Sequence, residues 1–133
     1  MNFESKKISN LLAPVSLGEL IDKITILEIK QKYITGNKLN NINKELKLLK
    51  YIIKDKNLEI DIDLIDKLTK VNQSLWETED KIRLKEKNQE FDKEFIQLAR
   101  SVYIENDKRA FIKKEINKKY NSELVEEKSY INY

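Results

Sequence analysis

Apolar residues recur every three or four positions over four long stretches of the chain, and charged residues fill most of the positions between them. This spacing places the apolar residues on one face of an α-helix, whereas a half-buried strand would show strict alternation. The pattern therefore predicts an all-α protein. We predict helices over about 17–35, 38–55, 62–88 and 93–120, with a lead-in over 1–15 and a docked tail over 121–133.

The first predicted helix is expected to lie at the centre of the fold, because its apolar residues fall on more than one side. Pro14 precedes it, and Ser16 and Glu19 have the spacing of a capping box. In that motif each side chain accepts a hydrogen bond from the backbone N–H of the other residue. The apolar residues of this helix are Leu17, Leu20, Ile21, Ile24, Ile26, Leu27 and Ile29.

The links between the predicted helices are short, which indicates two antiparallel helical hairpins. Gly36 and Asn37 separate the first two helices, and Asp61 or Asp63 is expected to cap the third and Asp92 the fourth. The simplest arrangement is a single domain in which the two hairpins pack as an antiparallel four-helix bundle or coiled coil. The fourth helix is longer than the second, so one end projects, and a homodimer would bury that overhang.

Composition excludes several function classes. Two Gly and one Pro among 133 residues are too few for the turns of a β-sandwich. The chain has no Cys and no His, so it lacks thiolate chemistry, the usual general base and the usual zinc ligands. Its formal charge of +3, from 26 basic and 23 acidic residues, is too small to indicate nucleic-acid binding. No segment is typical of a signal peptide or a membrane span, so we expect a cytoplasmic protein without membrane insertion.

Two pairs of acidic residues are candidates for a metal site. Glu19 and Asp22 are three residues apart in the first helix, and Glu77 and Asp80 repeat that spacing in the third. Residues three apart share a helix face, so adjacent helices would present four carboxylates. Oxygen ligands suit Mg²⁺ or Mn²⁺, which would polarise phosphate oxygens for attack by water. Solvated acidic pairs are common in a chain with 37% charged residues, so the simpler expectation is that no cofactor is bound.

A polar interruption in the fourth predicted helix is a second candidate site. The apolar stripe breaks over 105–109, and polar groups that face a core need partners such as Asp22. Two interpretations are open. The residues form either a buried network that specifies helix pairing or the floor of a cleft in which Arg side chains bind phosphate. The candidates for either role are Lys23, Arg83, Arg100, Asn106, Asp107 and Arg109.

The tail mixes apolar residues with charges and lies outside the helical pattern. It either docks on its own bundle or completes the groove of a partner protein. The six Tyr residues lie mostly at bundle or tail positions, so no stacking platform for nucleic acid is evident. The tail residues expected to interact are Glu126, Glu127, Lys128 and Tyr130.

Four segments together resemble a family of short, uncharacterised bacterial all-helical proteins. They are VSLGELIDKITILEIK (15–30), LWETEDKIRLKE (75–86), LARSVYIENDKRA (98–110) and NSELVEEKSY (121–130). That family has no established activity, and its members are found near genes for surface-polysaccharide and glycosyltransferase functions. The resemblance therefore implies a link to surface-polysaccharide biosynthesis. It directs attention to Gly18, Glu19, Asp22, Lys23, Trp76, Asp80, Arg100, Asn106, Asp107, Arg109 and 126–130.

A weaker likeness is to the all-α nucleotide pyrophosphatases, which are Mg²⁺-dependent helical bundles with an E-x-x-E motif followed by E-x-x-D. Glu19 and Asp22 look like the first motif, and Glu77 and Asp80 look like the second. In this chain the first pair ends in Asp, and a whole predicted helix lies between the pairs. The likeness is an analogy at the level of the fold, and it implies a Mg²⁺-dependent phosphohydrolase.

Three functions are therefore open. The first is a non-enzymatic cytoplasmic interaction or accessory module, a homodimer with a protein partner, which the absence of His and Cys and the long hairpins favour. The second is a Mg²⁺-dependent phosphohydrolase of nucleotides or nucleotide-sugars. The third is a non-catalytic binder of a phosphorylated sugar in the same cleft without metal. Convergence of the four carboxylates would favour the second, whereas pairing of Asp22, Lys23, Asn106 and Arg109 with one another inside a dry core would favour the first.

Overall fold

The computed structural model describes residues 7–133, and that part of the chain contains four α-helices and no β-strand. In chain order the helices are α1 (Leu17–Tyr33), α2 (Asn37–Asp55), α3 (Ile62–Lys87) and α4 (Lys93–Lys119). Each helix end lies within two residues of its predicted position. The all-α fold class and the helical bundle predicted from the apolar spacing are confirmed.

Side chains at the predicted capping positions set the starts of three helices. Ser16, Asp61 and Asp92 each accept a hydrogen bond from a backbone N–H two or three residues later, at 2.9–3.1 Å. Such a bond satisfies one of the N–H groups that a helix start leaves free. α2 begins differently, because Gly36 before it adopts φ +72°. Glycine reaches this left-handed region without steric cost, which allows the tight reversal after α1.

α1 lies at the centre of the bundle, as its apolar pattern predicts. It packs against each of the other three helices, whereas α2 packs closely on α1 alone within the described part of the chain. α3 and α4 form the second pair of neighbouring helices. Apolar side chains from all four helices meet in one core, formed by Leu20, Ile21, Ile24, Leu27, Ile42, Leu46, Leu64, Leu68, Val71, Ile112 and Ile116.

α3 and α4 form a long antiparallel hairpin that projects beyond this core. At one end the backbone N–H of Asp61 donates to Tyr120 Oη at 2.5 Å. At the other end Lys85 pairs with Glu90 and Asp92 at 3.1 and 2.9 Å. No residue over 79–111 is fully buried, because α1 and α2 cover only the part of the hairpin nearest to Asp61 and Tyr120. None of the described helices has a stretch that is long and apolar enough to cross a bilayer.

Candidate functional site

A buried carboxylate, that of Asp22, lies where α1, α3 and α4 meet. The residue has no exposed surface. Arg109 of α4 forks around the carboxylate, with Nε donating to Oδ1 at 2.9 Å and Nη2 donating to Oδ2. Asn72 of α3 donates a third hydrogen bond to Oδ1 at 2.8 Å. A buried charge is tolerated when it is paired and hydrogen-bonded in this way.

Lys113 extends this arrangement by one turn of α4. Arg109 and Lys113 are four residues apart on one face of α4 and meet Asp22 and Glu19, which are three apart on one face of α1. Lys113 Nζ lies 2.5 Å from Glu19 Oε2 and 3.7 Å from Asp22 Oδ2. A carboxylate of the tail, that of Glu126, lies 3.1 Å from the same ammonium group. We refer to these five residues together with Asn72 as the Asp22 cluster.

The electrostatics of the Asp22 cluster keep both cations charged. Burial acts to lower the pKa of Lys113, but hydrogen bonds from its ammonium group to Glu19 and Glu126 raise that pKa above its ordinary value. The hydrogen bond to Asp22 raises the pKa of Arg109. A lysine serves as a base or nucleophile when its pKa is lowered toward neutrality. The arrangement of Lys113 therefore favours binding and structural roles over proton transfer.

The first turn of α1 is tied to the end of α4 by side chains from far along the chain. The N–H of Leu17 donates to Ser122 Oγ at 3.1 Å, and the N–H of Gly18 donates to Asn117 Oδ1 at 2.7 Å. The two helices approach so closely that a Cβ at Gly18 would lie 2.5 Å from the carbonyl oxygen of Lys113. These bonds satisfy N–H groups at the helix start and hold α1 against α4.

A tertiary contact replaces one half of the predicted capping box. Ser16 Oγ accepts a hydrogen bond from the N–H of Glu19 at 3.1 Å, as the motif predicts. The Glu19 carboxylate contacts the Lys113 ammonium instead of the backbone N–H of Ser16. A charge-assisted hydrogen bond is stronger than one between a neutral donor and acceptor pair, so the Glu19 side chain turns toward α4.

The tail lies along α4 and is attached to it mainly through polar side chains. Glu127 Oε2 lies 3.0 Å from Lys114 Nζ, one residue beyond the contact between Glu126 and Lys113. Farther along, the hydroxyl of Tyr133 donates to Asp107 Oδ2 at 2.5 Å. The Tyr133 ring also packs edge-on against the ring of Tyr103. The tail itself contains no helix and no strand over 123–133.

Open space lies beside the Asp22 cluster and beneath the tail. A polar cleft of about 230 Å³ is bounded by α1, α4 and the tail and is lined by Glu19, Asn106, Arg109, Lys113, Glu126 and Lys128. Two larger grooves of about 590 and 780 Å³ lie between α4 and the tail. Their apolar and aromatic lining comes from Val102, Tyr103, Phe111, Tyr130, Ile131 and Tyr133.

The structure brings together some of the residues singled out in the sequence. Glu19, Arg109, Asn106, Glu126 and Lys128 line the polar cleft, and Asp22 lies behind them. Lys128 Nζ is 3.3 Å from Glu126 Oε1, and Asn106 Oδ1 is 3.5 Å from Arg109 Nη1. The polar break in the fourth helix thus faces α1 and the tail.

Lys23 and Arg83 lie outside this cluster, so the prediction that they join the buried network is wrong. Lys23 pairs with Glu45 of α2 at 3.2 Å, with about half of each side chain exposed. Arg83 pairs with Glu79 along the surface of α3 at 2.8 Å. Adjacent helix positions point about 100° apart, so Lys23 cannot share the orientation of its neighbour Asp22. Arg100 is also exposed, away from the cleft.

Three of the four acidic residues predicted as metal ligands engage other groups, and the fourth is exposed to solvent. Glu19 and Asp22 pair with Lys113 and Arg109. Glu77 accepts a hydrogen bond from Gln73 at 3.2 Å, and Asp80 is exposed on α3. Over residues 7–133 no group of three or more acidic side chains is placed to hold a metal ion. Metal binding stays a prediction, and the positions of these carboxylates do not support it.

Lys113, Asn117, Asn72 and Ser122 contribute to the site but were missed by the sequence analysis. Lys113 and Asn117 follow Arg109 at intervals of four residues, so all three lie on one face of α4. That spacing was a usable signal, because the face carries three polar residues beside a buried stripe. Asn72 and Ser122 carried no such signal, since each is a single polar residue whose partner lies in a distant segment.

Trp76, which matches a motif of the resembled family, is partly buried on α3. Its indole ring stacks on the ring of Tyr33, the last residue of α1, with 5.2 Å between the ring centroids. Gln73 donates a hydrogen bond to the Tyr33 hydroxyl at 2.7 Å. These contacts attach the end of α1 to α3. Trp76 therefore reports on the packing of α1 against α3.

Acid is expected to release the tail from α4. The hydrogen bond from Lys113 lowers the pKa of Glu126 below its ordinary value of 4.5. When docking lowers the pKa of a carboxylate, the ionised carboxylate stabilises the docked state at every pH above its ordinary pKa. This contribution is lost as the pH falls through the lowered pKa. Because the chain has no Cys, a fluorophore on Asn132→Cys reports tail motion by its anisotropy. We expect the anisotropy to fall as the pH is lowered from about 6 to about 3.

Two variants control this measurement. Glu126→Gln should show low anisotropy throughout the titration, because its side chain carries no charge to pair with Lys113. Glu123→Gln should follow the unmodified tail, because Glu123 forms no ion pair within the described residues. A constant anisotropy in the chain with Glu126 intact would show that this ion pair does not hold the tail.

Comparison with known proteins identifies a family without assigning an activity. No curated protein and no solved structure matches the chain. Residues 11–133 match the model of DUF6165, which is described as a family of unknown function. The matched range contains all four helices, the Asp22 cluster and the tail. The resemblance to an uncharacterised family is therefore confirmed, and the chain belongs to DUF6165, a family of unknown function.

Proposed function

We propose that the protein is a cytoplasmic helical interaction module, an accessory chain that binds another polypeptide along α4 and the tail. The observation that carries the proposal is the group of large apolar side chains around the grooves between these two segments. Phe111 is 65% exposed and Ile131 is 95% exposed, and Tyr130 and Tyr133 are also largely open to solvent. A concentration of exposed apolar groups with a polar rim is typical of an interaction surface.

The internal pairing of the Asp22 cluster supports a role without catalysis. Lys113 and Arg109 are two of the three cations that line the polar cleft, and each is bound to carboxylates of the same chain. A catalytic group needs a pKa suited to proton transfer or an open position for substrate. A paired and largely buried cluster instead serves to fix helices against one another.

A phosphorylated-sugar binder without catalysis is the second candidate, and the polar cleft favours it. Arg109, Lys113 and Lys128 converge on this space of about 230 Å³. Guanidinium and ammonium groups are the usual partners of phosphate. A phosphate would compete with Glu126 for both lysines, which makes this function second to polypeptide binding. The Mg²⁺-dependent phosphohydrolase has no such support, since three of its four carboxylates engage other groups and the fourth, that of Asp80, is exposed on α3.

The experiment that tests the first function is site-specific photo-crosslinking in cells. A photoreactive amino acid at Ile131 should form an adduct with a partner polypeptide, and Phe111→Asp should abolish that adduct. Tyr51 on α2 is the control position for the photoreactive amino acid, because it is a large exposed side chain like Ile131 but lies away from the tail. Equal adducts from both positions, or no adduct from Ile131, would contradict the proposal. An adduct of two identical chains would identify the predicted homodimer.

A thermal-shift titration tests the other two functions on the same protein. A ligand that binds only the folded chain stabilises it by about 2.7 kcal/mol at 100 times its Kd. A rise in Tm with sugar phosphates alone would favour the second candidate. A rise that requires Mg²⁺ or Mn²⁺ together with a nucleotide or nucleotide-sugar would favour the phosphohydrolase. We expect no change in Tm with sugar phosphates, and none with a metal ion and a nucleotide or nucleotide-sugar together. The link to surface-polysaccharide biosynthesis stays a prediction, to be examined through the identity of the crosslinked partner.

A further inference from the structure

We infer that the tail occupies, as an intramolecular substitute, a groove on α4 that binds an extended acidic segment of the partner polypeptide. This inference rests on the proposed function and specifies the chemistry of the partner. The groove is formed by Tyr103, Asp107, Phe111, Lys113 and Lys114, and we call it the α4 groove. The tail segment that fills it runs over 123–133.

The charges of the tail and the α4 groove are opposite in sign, and they match in spacing, because two adjacent acidic residues face two adjacent basic residues. Glu126 and Glu127 are adjacent in the tail, and their partners Lys113 and Lys114 are adjacent on α4, at 3.1 and 3.0 Å. The groove thus selects two neighbouring carboxylates on an extended backbone. A partner segment with the same pair of acidic residues would make the same two contacts.

A hydroxyl-bearing aromatic residue provides the second element of recognition. Tyr133 lies seven residues beyond Glu126, where its hydroxyl bonds to Asp107 and its ring packs on Tyr103. Aromatic side chains with a polar tip are favoured at interfaces because they bury a large area and still satisfy a hydrogen bond. The expected partner segment therefore carries two adjacent acidic residues followed, about seven positions on, by a tyrosine.

The tail fills the α4 groove poorly, as expected for an occupant that is exchanged. Cavities of about 590 and 780 Å³ remain between tail and helix. The buried Nδ2 of Asn117 has no hydrogen-bond acceptor among residues 7–133, and leaving such a donor unpaired is unfavourable. By contrast, Ser122 is firmly held, with its Oγ accepting from Leu17 and its N–H donating to the carbonyl of Asn117 at 2.8 Å. The tail is therefore expected to open from residue 123 onward.

A labelled peptide added to the full-length chain tests this inference. The peptide SELVEEKSYINY, residues 122–133, should bind weakly to the unmodified chain, because the attached tail competes at an effective concentration of about a millimolar or more. Glu126→Ala combined with Glu127→Ala weakens the attached tail and leaves the groove intact. We expect this double variant to bind the peptide about ten times more tightly, measured by fluorescence anisotropy.

Matched controls separate the α4 groove from nonspecific charge. Glu123→Ala removes a neighbouring tail carboxylate that forms no ion pair in the described chain and should leave peptide affinity unchanged. Lys114→Glu, added to the double variant, should abolish its increase in affinity for the peptide. Lys114 is half exposed and does not contact Asp22, so this change spares the core. A peptide in which the residues that correspond to Glu126 and Glu127 are replaced by Lys should not bind.

The outcomes distinguish the inference from the function on which it rests. Equal peptide affinity for the unmodified chain and the double variant would overturn the inference. If the Ile131 crosslink to a partner persists in that case, the interaction module stands and the partner uses other chemistry. If the peptide affinities are equal and Ile131 also forms no crosslink, both the inference and the proposed function are overturned. If the unmodified chain is a dimer and the double variant is a monomer, the occupant is the tail of a second copy, which overturns the assignment of a separate partner.

Discussion

Replacement of Asp22 by alanine is expected to lower the free energy of unfolding by about 4 kcal/mol. The substitution removes the carboxylate that accepts hydrogen bonds from Arg109 and Asn72 and lies 3.7 Å from the ammonium group of Lys113. Removal of one partner from a buried ion pair leaves the other charge without compensation, which is why the loss exceeds that of a surface pair. Urea unfolding followed by Trp76 fluorescence and by far-ultraviolet circular dichroism measures the change.

Asp80→Ala is the matched control for this prediction. Asp80 is exposed on α3, and substitutions at exposed positions usually change stability by less than about 0.5 kcal/mol. In a double-mutant cycle, Asp22→Ala and Arg109→Ala should show a coupling energy of at least about 1 kcal/mol, because the two residues form one pair. Similar losses for Asp22 and Asp80 would contradict a structural role for the Asp22 cluster.

Replacement of Gly18 by alanine is expected to lower the free energy of unfolding by about 3 kcal/mol. An added Cβ would meet the carbonyl oxygen of Lys113 at 2.5 Å and Asn117 Oδ1 at 3.0 Å. The first of these atoms belongs to the backbone of α4, so it cannot rotate aside. α1 and α4 must separate, which weakens the hydrogen bond between Gly18 and Asn117. Chemical denaturation at constant pH gives the change in stability.

Gly36→Ala is the comparison for Gly18→Ala, because it strains the backbone without creating a steric clash. An added Cβ at Gly36 would meet no atom of the described residues within 4 Å, but the φ of Gly36 is +72°. With ψ −148° this is a conformation that essentially only glycine adopts, and it costs another residue about 1–3 kcal/mol. Gly18→Ala is therefore expected to be the more damaging change, and it should also weaken the protection of α1 amides against hydrogen exchange. A smaller loss at position 18 than at position 36 would show that the helices tolerate a wider separation.

Lys113 links the stability of the bundle to the position of the tail. Its ammonium group contacts Glu19 of α1 and Glu126 of the tail, while its side chain is only 8% exposed. Release of the tail therefore removes one of the partners of a largely buried cation. The remaining contacts with Glu19 and Asp22 keep that cation compensated, so the bundle is expected to stay folded when the tail opens. This allows a partner to exchange with the tail without unfolding the core.

The positions of the helices and most of their starts were predictable from the sequence, because they depend on local interactions. The three-and-four spacing of apolar residues defines a helix face wherever it occurs. Ser16, Asp61 and Asp92 cap their helices through backbone groups two or three residues away. Even the central place of α1 followed from the apolar residues on more than one of its sides.

The partners of the polar residues were only partly predictable. Asp22 and Arg109 were both singled out, and they meet. Lys23 was expected to join them, but its helix position points it toward Glu45 of α2. Lys113 was overlooked, although it lies one turn from Arg109. Periodicity assigns a residue to a face of its own helix, whereas the helix opposite that face depends on how the whole core packs.

The sequence by itself determined the four helices, their caps and the all-α class, since these follow from hydrogen bonds and apolar spacing within one segment. Only the tertiary structure decided that Glu19 turns from its capping role to Lys113, that Ser122 and Asn117 complete the start of α1, and that the tail lies on α4. The contacts of the first turn of α1 join residues about a hundred positions apart. Their energies depend on burial and on the identity of the neighbour, and both exist only once the helices have packed.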